Sequence, residues 1–208
     1  MPYTEFIHIL NECRVGIPSQ ESIGALHRLS RPLHPLFLPH LRPVELYALR
    51  RLVDVTNKRH LDQLPGPLFQ FHAVDRASHP HSLHYYSDMP VDPFIGLKIG
   101  AQVMLRKNLG NGLFNGSIGT VLSFLPSEAL VRCGNDHAQW GDGCVRHIEP
   151  SRIPSSSPPS PDAYPLVCFK TPMGDEHVFC RPEVFKVEDS RGQTVALRTQ
   201  VYNGSNHT

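Results

Sequence analysis

The sequence lacks several features that would place it in a common class of protein. It has no run of about 18 apolar residues, the length that a helix needs to cross a membrane, so we expect no membrane span. Its formal net charge is only +1 at pH 7. Any binding to a polyanion therefore has to come from local clusters of cations and not from the field of the whole molecule.

Cysteine is present, but it is not arranged as a disulfide framework or as a strong metal motif. The five cysteines are odd in number and widely spaced, and no Cys-x-x-Cys pair occurs. This pattern favours reduced, buried thiols in a nuclear, mitochondrial-matrix or cytosolic protein. One group lies close enough along the chain to be considered as a zinc site: Cys133, His137, Cys144 and His147. Without a Cys-x-x-Cys pair we expect no obligate metal.

A nucleotide-binding phosphate loop is also missing. In such a loop the backbone N–H groups of a Gly-x-x-x-x-Gly-Lys-Ser/Thr segment cradle phosphates while the lysine neutralises them, and the sequence has no such segment. No Asp-Glu pair directly follows an apolar strand, so Mg²⁺ has no obvious ligand. We therefore predict no catalytic residue and no bound cofactor in this chain.

The most informative pattern that is present spans residues 97–124. Apolar residues alternate over 101–107 and again over 118–124, as in half-buried strands, and the first strand ends in the basic pair Arg106-Lys107. Between them Asn115-Gly116 suits a tight turn that needs positive φ angles. The pattern predicts a hairpin with cations at one end.

The rest of the chain divides into a helical part and a strand-rich part. Helical spacing predicts one helix over 6–16 and a second that begins at an N-cap on Ser19 and ends before Pro32. A short strand over Val44–Tyr47 and a third helix over 50–64 follow. From about residue 97 every segment reads as short strands, which predicts a small barrel. The predicted strands are 101–107, 118–125, 129–133, 144–148, 166–169, 177–180, 184–188 and 194–200. The predicted core is Val103, Leu105, Ile118, Val121, Leu122, Val131, Val167, Phe169, Phe179, Phe185, Val187 and Val195.

Residues 97–119 closely resemble the accessory-domain signature of the PIF-type DNA helicases, which are RecD-like 5′-to-3′ enzymes of helicase superfamily 1. The residues on the pattern are Leu97, Lys98, Gly100, Ala101, Gln102, Val103, Met104, Leu105, Lys107, Asn108, Asn115, Gly116 and Gly119. Segments 6–16, 45–57, 71–75 and 196–201 are similar to other parts of the same enzymes. The chain thus looks like a central fragment of an ATP-dependent helicase.

The resemblance implies an α+β fold in two parts. Residues 1–75 would be a partial RecA-like second motor domain and 76–96 a linker. Residues 97–201 would be an accessory, Src-homology-type β-barrel with a Ser/Pro-rich insertion at 151–163, followed by a disordered tail at 202–208. Because a RecA-like sheet takes its other strands from motifs that this sequence lacks, we expect apolar residues of the N-terminal helices to be exposed.

The same resemblance implies a nucleic-acid site. Lys98, Arg106, Lys107 and Asn108 would contact the phosphate backbone of single-stranded DNA, and Asn115 would shape the loop. Arg50 matches an arginine with a nucleotide-side role, although the proline and threonine that precede it in the family are Ala48 and Leu49 here.

The implied function is to grip single-stranded DNA for ATP-driven unwinding in replication, repair, recombination or telomere maintenance. The implied partners are single-stranded DNA and the remaining motor domains, with ATP and Mg²⁺ needed by a complete helicase, in the nucleus or mitochondrion. The alternative is a non-enzymatic protein-interaction barrel or a degenerate helicase remnant. An exposed cluster of the strand-region aromatics would favour that alternative, and a basic groove would favour DNA. Those aromatics are Phe114, Phe124, Trp140 and Phe169.

Overall fold

The computed structural model describes residues 3–30, 41–77, 84–87, 89–110, 112–126, 163–172, 174–201 and 203–205. These residues form three α-helices followed by ten β-strands, in agreement with the predicted mixed class. They divide into two compact units, Met1–His40 and Leu41–Thr208. Within the described part of the chain, no helix is long and apolar enough to cross a membrane.

The first unit is a pair of helices whose ends were predicted from the sequence. Helix α1 (Tyr3–Val15) stops at Gly16, which has a φ of 77°. The N–H of Gly16 donates to Cys13 O and that of Ile17 to Glu12 O, a Schellman arrangement that satisfies the last carbonyls. Helix α2 (Gln20–Leu29) begins after Ser19, whose Oγ accepts a hydrogen bond from the Ser22 N–H.

A carboxylate joins these two helices. Glu12 Oε2 accepts hydrogen bonds from the backbone N–H and the hydroxyl of Ser19, each at 2.9 Å. These bonds, led by the one from the Ser19 backbone, lower the pKa of Glu12 to about 2. The turn between α1 and α2 is therefore fixed by the ionised form of this side chain.

Most apolar residues of α1 are exposed, as predicted. Only Ile9 is buried, whereas Tyr3, Phe6, Ile7 and Leu10 are open to solvent. Within the described residues, the apolar side chains of this helix are thus mostly exposed, as expected where the surface that they would cover is formed by segments outside this sequence.

The second unit begins with an irregular segment where a strand was predicted. Residues 41–49 form neither helix nor strand, and Leu46 is 89% exposed. The prediction of a strand over Val44–Tyr47 is wrong because an apolar run needs a neighbouring strand, and none of the described strands pairs with it. Helix α3 (Arg50–Gln63) follows as predicted.

The described strands are β1 Phe69–His72, β2 Val74–Ala77, β3 Phe94–Leu97, β4 Gln102–Leu105, β5 Ile118–Pro126, β6 Ala163–Thr171, β7 Gly174–Phe179, β8 Pro182–Glu188, β9 Thr194–Val201 and β10 Asn203–Ser205. They form three antiparallel sheets. One is β1–β3, the second is β2–β9–β8, and the third has the order β10–β4–β5–β6–β7. Among the described strands these sheets are open, so the closed Src-homology-type barrel stays a prediction.

Two predicted boundaries differ from the structure. The described part of the predicted linker 76–96 belongs to the folded body, because Met89, Val91 and Ile95 are buried in the main core. Within the predicted disordered tail, Asn203–Ser205 forms β10 and pairs with β4, so the prediction is wrong for these three residues. The first segment is held by burial in the core and the second by pairing with a distant strand, and the local sequence pattern indicates neither.

The core is largely the predicted one. Val103, Leu105, Val121, Val167, Phe169, Phe179 and Phe185 are buried. Ile118, Leu122, Val187 and Val195 are only half-buried, and Val131 lies outside the described residues. A register shift between Val121 and Ser123 explains Leu122, because a bulge changes the face to which the next side chain points.

Strand β9 turns a polar face inward, and this is not the face of Val195, which was predicted to lie in the core. Ala196, Arg198 and Gln200 are buried, whereas Val195 is half-buried. Arg198 donates from Nε to Asp75 Oδ1 and from Nη2 to Asp75 Oδ2, both at 2.7 Å, and from Nη1 to Val91 O at 2.9 Å. Its guanidinium carbon lies 5.3 Å from the centre of the Tyr86 ring. Each of the three guanidinium nitrogens therefore has an acceptor, and the hydrogen bonds to Asp75 raise the pKa of Arg198.

Gln200 extends this polar connection. Its Nε2 lies 3.2 Å from both Phe71 O and Asp92 O, and its Oε1 accepts from the Val201 N–H at 3.0 Å. Together Arg198 and Gln200 attach strands β1 and β2 and the segment around residue 92 to β9. Residues 71–75 and 196–201, far apart in sequence, thus meet in space.

Three cysteines lie in the part of the chain that the structure describes. Cys168 and Cys180 are buried as predicted, but Cys13 on α1 is exposed. Burial raises the pKa of the Cys168 thiol, which keeps it protonated. In the described ranges no three His, Cys, Asp or Glu residues are grouped to hold a metal. The considered zinc ligands, the strands at 129–133 and 144–148, and nearly all of the Ser/Pro-rich insertion lie outside the described residues.

Replacement of Gly119 tests the packing of the hairpin against β6. A Cβ at this position would lie 2.7 Å from Val167 Cγ1 and 2.8 Å from Cys168 O, closer than atoms can approach. We expect Gly119→Ala to lower the free energy of unfolding by about 1–3 kcal/mol, as overpacking does.

The matched control is Gly96→Ala in β3, where the nearest atom is the Leu68 Cδ1 at 3.3 Å on a side chain that can move. This change should alter stability by no more than about 0.5 kcal/mol in the same urea titration. Equal unfolding midpoints for the two variants would contradict the packing described here.

Candidate nucleic-acid interface

Four of the six predicted site residues, Arg106, Lys107, Asn108 and Asn115, lie in the connection between β4 and β5, residues 106–117, called the hairpin loop below. Strands β4 and β5 pair antiparallel, with Met104 opposite Ile118 and Gln102 opposite Thr120. The predicted hairpin is thus confirmed. Its loop is longer than a simple turn and contains Leu113, which is fully buried in the core.

The loop closes with the predicted tight turn. The Ser117 N–H donates to Phe114 O at 2.9 Å, and Gly116 has a φ of 99°. The Gly116 N–H also donates to Leu105 O at 2.8 Å, and the Leu105 N–H donates to Ser117 O at 2.8 Å. Because an L-residue rarely adopts this φ, glycine is required at position 116.

Asn108 stabilises this turn from the other side of the loop. Its Oδ1 accepts a hydrogen bond from the Asn115 N–H at 2.8 Å. The two asparagines that were predicted as DNA-contact and loop-shaping residues therefore lie side by side. Asn108 uses its carboxamide oxygen to shape the loop, a role that sequence reasoning gave only to Asn115.

Lys107 forms an ion pair within the chain. Its Nζ lies 2.9 Å from Glu183 Oε2 on β8, and the side chains are 31% and 23% exposed. The carboxylate cancels the charge of the lysine at this point of the surface. A phosphate that binds Lys107 has to compete with Glu183.

Arg106 points to a different partner, as expected for neighbouring residues at the end of a strand. Its Nε and Nη2 donate to Pro90 O at 3.0 and 2.9 Å. The partner is an uncharged carbonyl, so this contact fixes the guanidinium without cancelling its charge. Arg106 therefore brings positive charge to the hairpin loop.

Lys98 lies away from this group. It precedes β4, whereas Arg106 and Lys107 follow it, and four strand residues extend about 13 Å. Its Nζ donates to Leu64 O at 2.9 Å, a carbonyl at the C-terminal end of α3, where a cation is favourable. The structure thus joins Arg106, Lys107, Asn108 and Asn115 at one end of β4 and places Lys98 at the other.

Arg50 is exposed and is the first residue of α3. Nothing in the described residues tests a nucleotide-side role for it, which stays a prediction.

The aromatic residues do not form an exposed cluster in the described residues. Phe124 and Phe169 are buried, Phe114 is 59% exposed, and Trp140 lies outside the described part of the chain. Among the aromatics named from the sequence, one exposed ring is therefore described, and it is in the hairpin loop.

Sequence reasoning missed the burial of Arg198 and Gln200 and the contact of Arg198 with Asp75. The available signal was a strand of alternating pattern that carries a charged residue at 198 and an amide residue at 200. The sequence prediction for this strand instead placed Val195 in the core. Charged and amide side chains such as those at 198 and 200 are in general rarely buried.

Comparison with known proteins gives a consistent set of relatives, although no protein-family model matches the chain. The chain is 35% identical to the ATP-dependent DNA helicase PIF1 of Emericella nidulans over 214 residues, which cover 95% of this chain and 28% of the relative. It is 36% identical to the ATP-dependent DNA helicase RRM3 of Saccharomyces cerevisiae over 62% of this chain and 18% of that protein. The chain thus spans less than a third of the length of these two relatives.

Solved structures agree with this result. A crystal structure of the Pif1 helicase from Candida albicans matches 98% of this chain and 43% of its own length, with a TM-score of 0.65 and 29% identity. A Pif1 from a Bacteroides species in complex with ADP-AlF4 matches with a TM-score of 0.54 and 14% identity, covering 99% of this chain and 39% of its own. At that identity the second match shows a shared fold alone.

Replacement of Asn108 tests its role in the hairpin loop. In Asn108→Ala the Asn115 N–H loses its acceptor, and the free energy of unfolding should fall by about 0.5–1.5 kcal/mol, the net contribution of one hydrogen bond. The Asn115 amide should also exchange faster with deuterium, as measured by NMR.

Asn108→Asp is the control because it keeps an oxygen at the accepting position. Exchange at Asn115 should stay close to that of the original chain. If the alanine variant leaves this amide equally protected, Asn108 does not hold the turn.

Proposed function

Because this chain is homologous to the PIF-type DNA helicases over most of its length, we propose that it is a DNA-binding region of such an enzyme and grips single-stranded DNA during ATP-driven unwinding. The hairpin loop is the contact surface. Arg106, Lys107 and Asn108 meet the phosphate backbone, and Asn115 keeps the loop in shape. The observation that carries the proposal is the placement of these residues at one end of β4.

The charge distribution along the chain supports this assignment. No acidic residue occurs between Asp92 and Glu128, a stretch that contains Lys98, Arg106 and Lys107. Contacts between such cations and phosphates carry no sequence information, which suits a protein that moves along DNA. The net charge of the whole chain is close to zero, so the binding is local and salt-sensitive.

Glu183 limits the strength of this grip. In the free protein it holds Lys107 at 2.9 Å, and DNA has to displace it. The ammonium group then exchanges one anionic oxygen for another. Arg106 gives up no opposite charge, since Pro90 O is neutral. We therefore propose that Arg106 makes the first contact and Lys107 the second.

The proposal includes a division of labour with the rest of the helicase. ATP and Mg²⁺ act in the complete enzyme, and this chain alone hydrolyses no ATP because its sequence has no phosphate loop. The strand-rich part is the accessory barrel of the helicase, and the remaining motor domains are its partners. The site of action is the nucleus or the mitochondrion, in replication, repair or telomere maintenance.

Substitution of Lys107 tests the proposed DNA contact. Lys107→Ala should weaken binding of a single-stranded oligonucleotide by about tenfold at low salt, the lower end of what a hydrogen bond to a charged group contributes. The slope of log affinity against log salt should fall by about 0.7 for the lost phosphate contact. Fluorescence anisotropy at several salt concentrations measures both quantities.

Two further variants separate a local contact from a general charge effect. Lys186→Ala removes the same charge from β8, where Lys186 pairs with Glu188, and should bind nearly as well as the original chain. Glu183→Gln releases Lys107 and should bind about twofold to fivefold more tightly, since such a pair contributes up to about 1 kcal/mol. This gain should shrink when Lys107 is alanine. Equal affinities for all variants, or no binding at low salt, would reject the proposed function.

A further inference from the structure

Phe114 combines an exposed ring with a fixed backbone. Its ring is 59% exposed, while the side chain of the preceding Leu113 is fully buried. The Phe114 N–H donates to Ser117 Oγ at 3.0 Å, and Phe114 O accepts from the Ser117 N–H at 2.9 Å. A single exposed apolar side chain is ordinary in itself. Here, however, hydrogen bonds at both the N–H and the carbonyl of Phe114 fix the turn that carries the ring. Binding of a ligand on the ring therefore costs little conformational entropy in the loop.

The surroundings of Phe114 indicate what kind of ligand suits it. The hydrogen bond between Asn108 Oδ1 and the Asn115 N–H joins the two sides of the loop. Lys107 directly precedes Asn108, and Phe114 directly precedes Asn115. The cation and the ring are therefore each one residue away from this hydrogen bond. Proteins that bind single strands without sequence preference combine cations for phosphates with aromatic rings for bases.

We propose that Phe114 is a base-stacking residue, on which one unpaired base of single-stranded DNA packs while Arg106 and Lys107 contact the neighbouring phosphates. This inference rests on the proposed function. It adds a contact with a base, which is separate from the contacts with phosphates. Peptide partners usually dock on several aromatic rings. Phe124 and Phe169 are buried, so the hairpin loop offers a surface for one flat group.

The experiment compares four forms of the 208-residue chain: the original sequence, Phe114→Tyr, Phe114→Leu and Phe114→Ala. Leucine keeps apolar bulk without a flat π surface, and tyrosine keeps the ring. Each is titrated with an oligothymidylate of about 20 nucleotides and with an abasic strand of the same length, which spans at least one site of the usual size. Anisotropy at low salt gives the affinities, and thermal unfolding confirms that each variant is folded.

On the thymidylate, we expect the tyrosine variant to match the original chain and the leucine and alanine variants to bind about 5- to 100-fold more weakly, the range for one stacked base. On the abasic strand all four should bind alike. The salt slope should be unchanged, because no phosphate contact is lost.

The outcomes separate this inference from the proposed function. If the Phe114→Leu variant binds thymidylate as tightly as the original chain does, base stacking on Phe114 is wrong, whereas the proposed contact with phosphates is unaffected. A loss by the alanine variant that is equally large on the abasic strand also overturns stacking. If the original chain binds neither strand, the proposed function fails and this inference fails with it.

Discussion

The ion pair between the buried Arg198 and the partly exposed Asp75 is the interaction on which the second unit depends. The Arg198 side chain is 4% exposed and the Asp75 side chain 34%, so the arginine has lost nearly all of its water while the aspartate keeps part of it. A buried guanidinium is costly unless each N–H has an acceptor. Asp75 and Val91 O supply one acceptor for each of the three nitrogens, and they come from segments more than 100 residues away in the sequence.

This requirement fixes the architecture around the hairpin loop. To reach Arg198, β2 has to pair with β9, and the segment that contains Val91 has to lie beside them. That segment also supplies Pro90 O, the acceptor for Arg106. The same buried cation therefore anchors the backbone that orients one of the proposed DNA contacts. Lys107 is oriented independently, through Glu183 on β8.

Sequence reasoning succeeded where the determinants are local. Gly16 and Ser19 end and begin helices through their own backbone angles and side-chain oxygens, and Asn115-Gly116 sets its turn in the same way. It failed where a distant partner decides. Residues 44–47 are apolar enough for a strand, but no described strand pairs with them. Met89 and Val91 lie in the predicted linker, but both are buried in the core.

The same distinction applies to the site. The residues of the hairpin loop could be named from the sequence because they follow one another along the chain. Their partners could not, since Glu183 and Pro90 lie far away and nothing in the local pattern points to them. The prediction of which face of β9 is buried failed for a related reason. A strand with polar residues at 198 and 200 faces solvent by default, and only Asp75 and nearby backbone carbonyls reverse that preference.

The most direct test of this account is a double-mutant cycle on the pair, measured by urea unfolding of the original chain, Asp75→Asn, Arg198→Met and the double variant. The account predicts that each single change lowers stability and that the two effects are not additive, with a coupling energy of about 1–2 kcal/mol, reduced from the buried limit because Asp75 is partly exposed. Additive effects within about 0.3 kcal/mol would show that the two side chains act independently and would contradict the central role given to this pair.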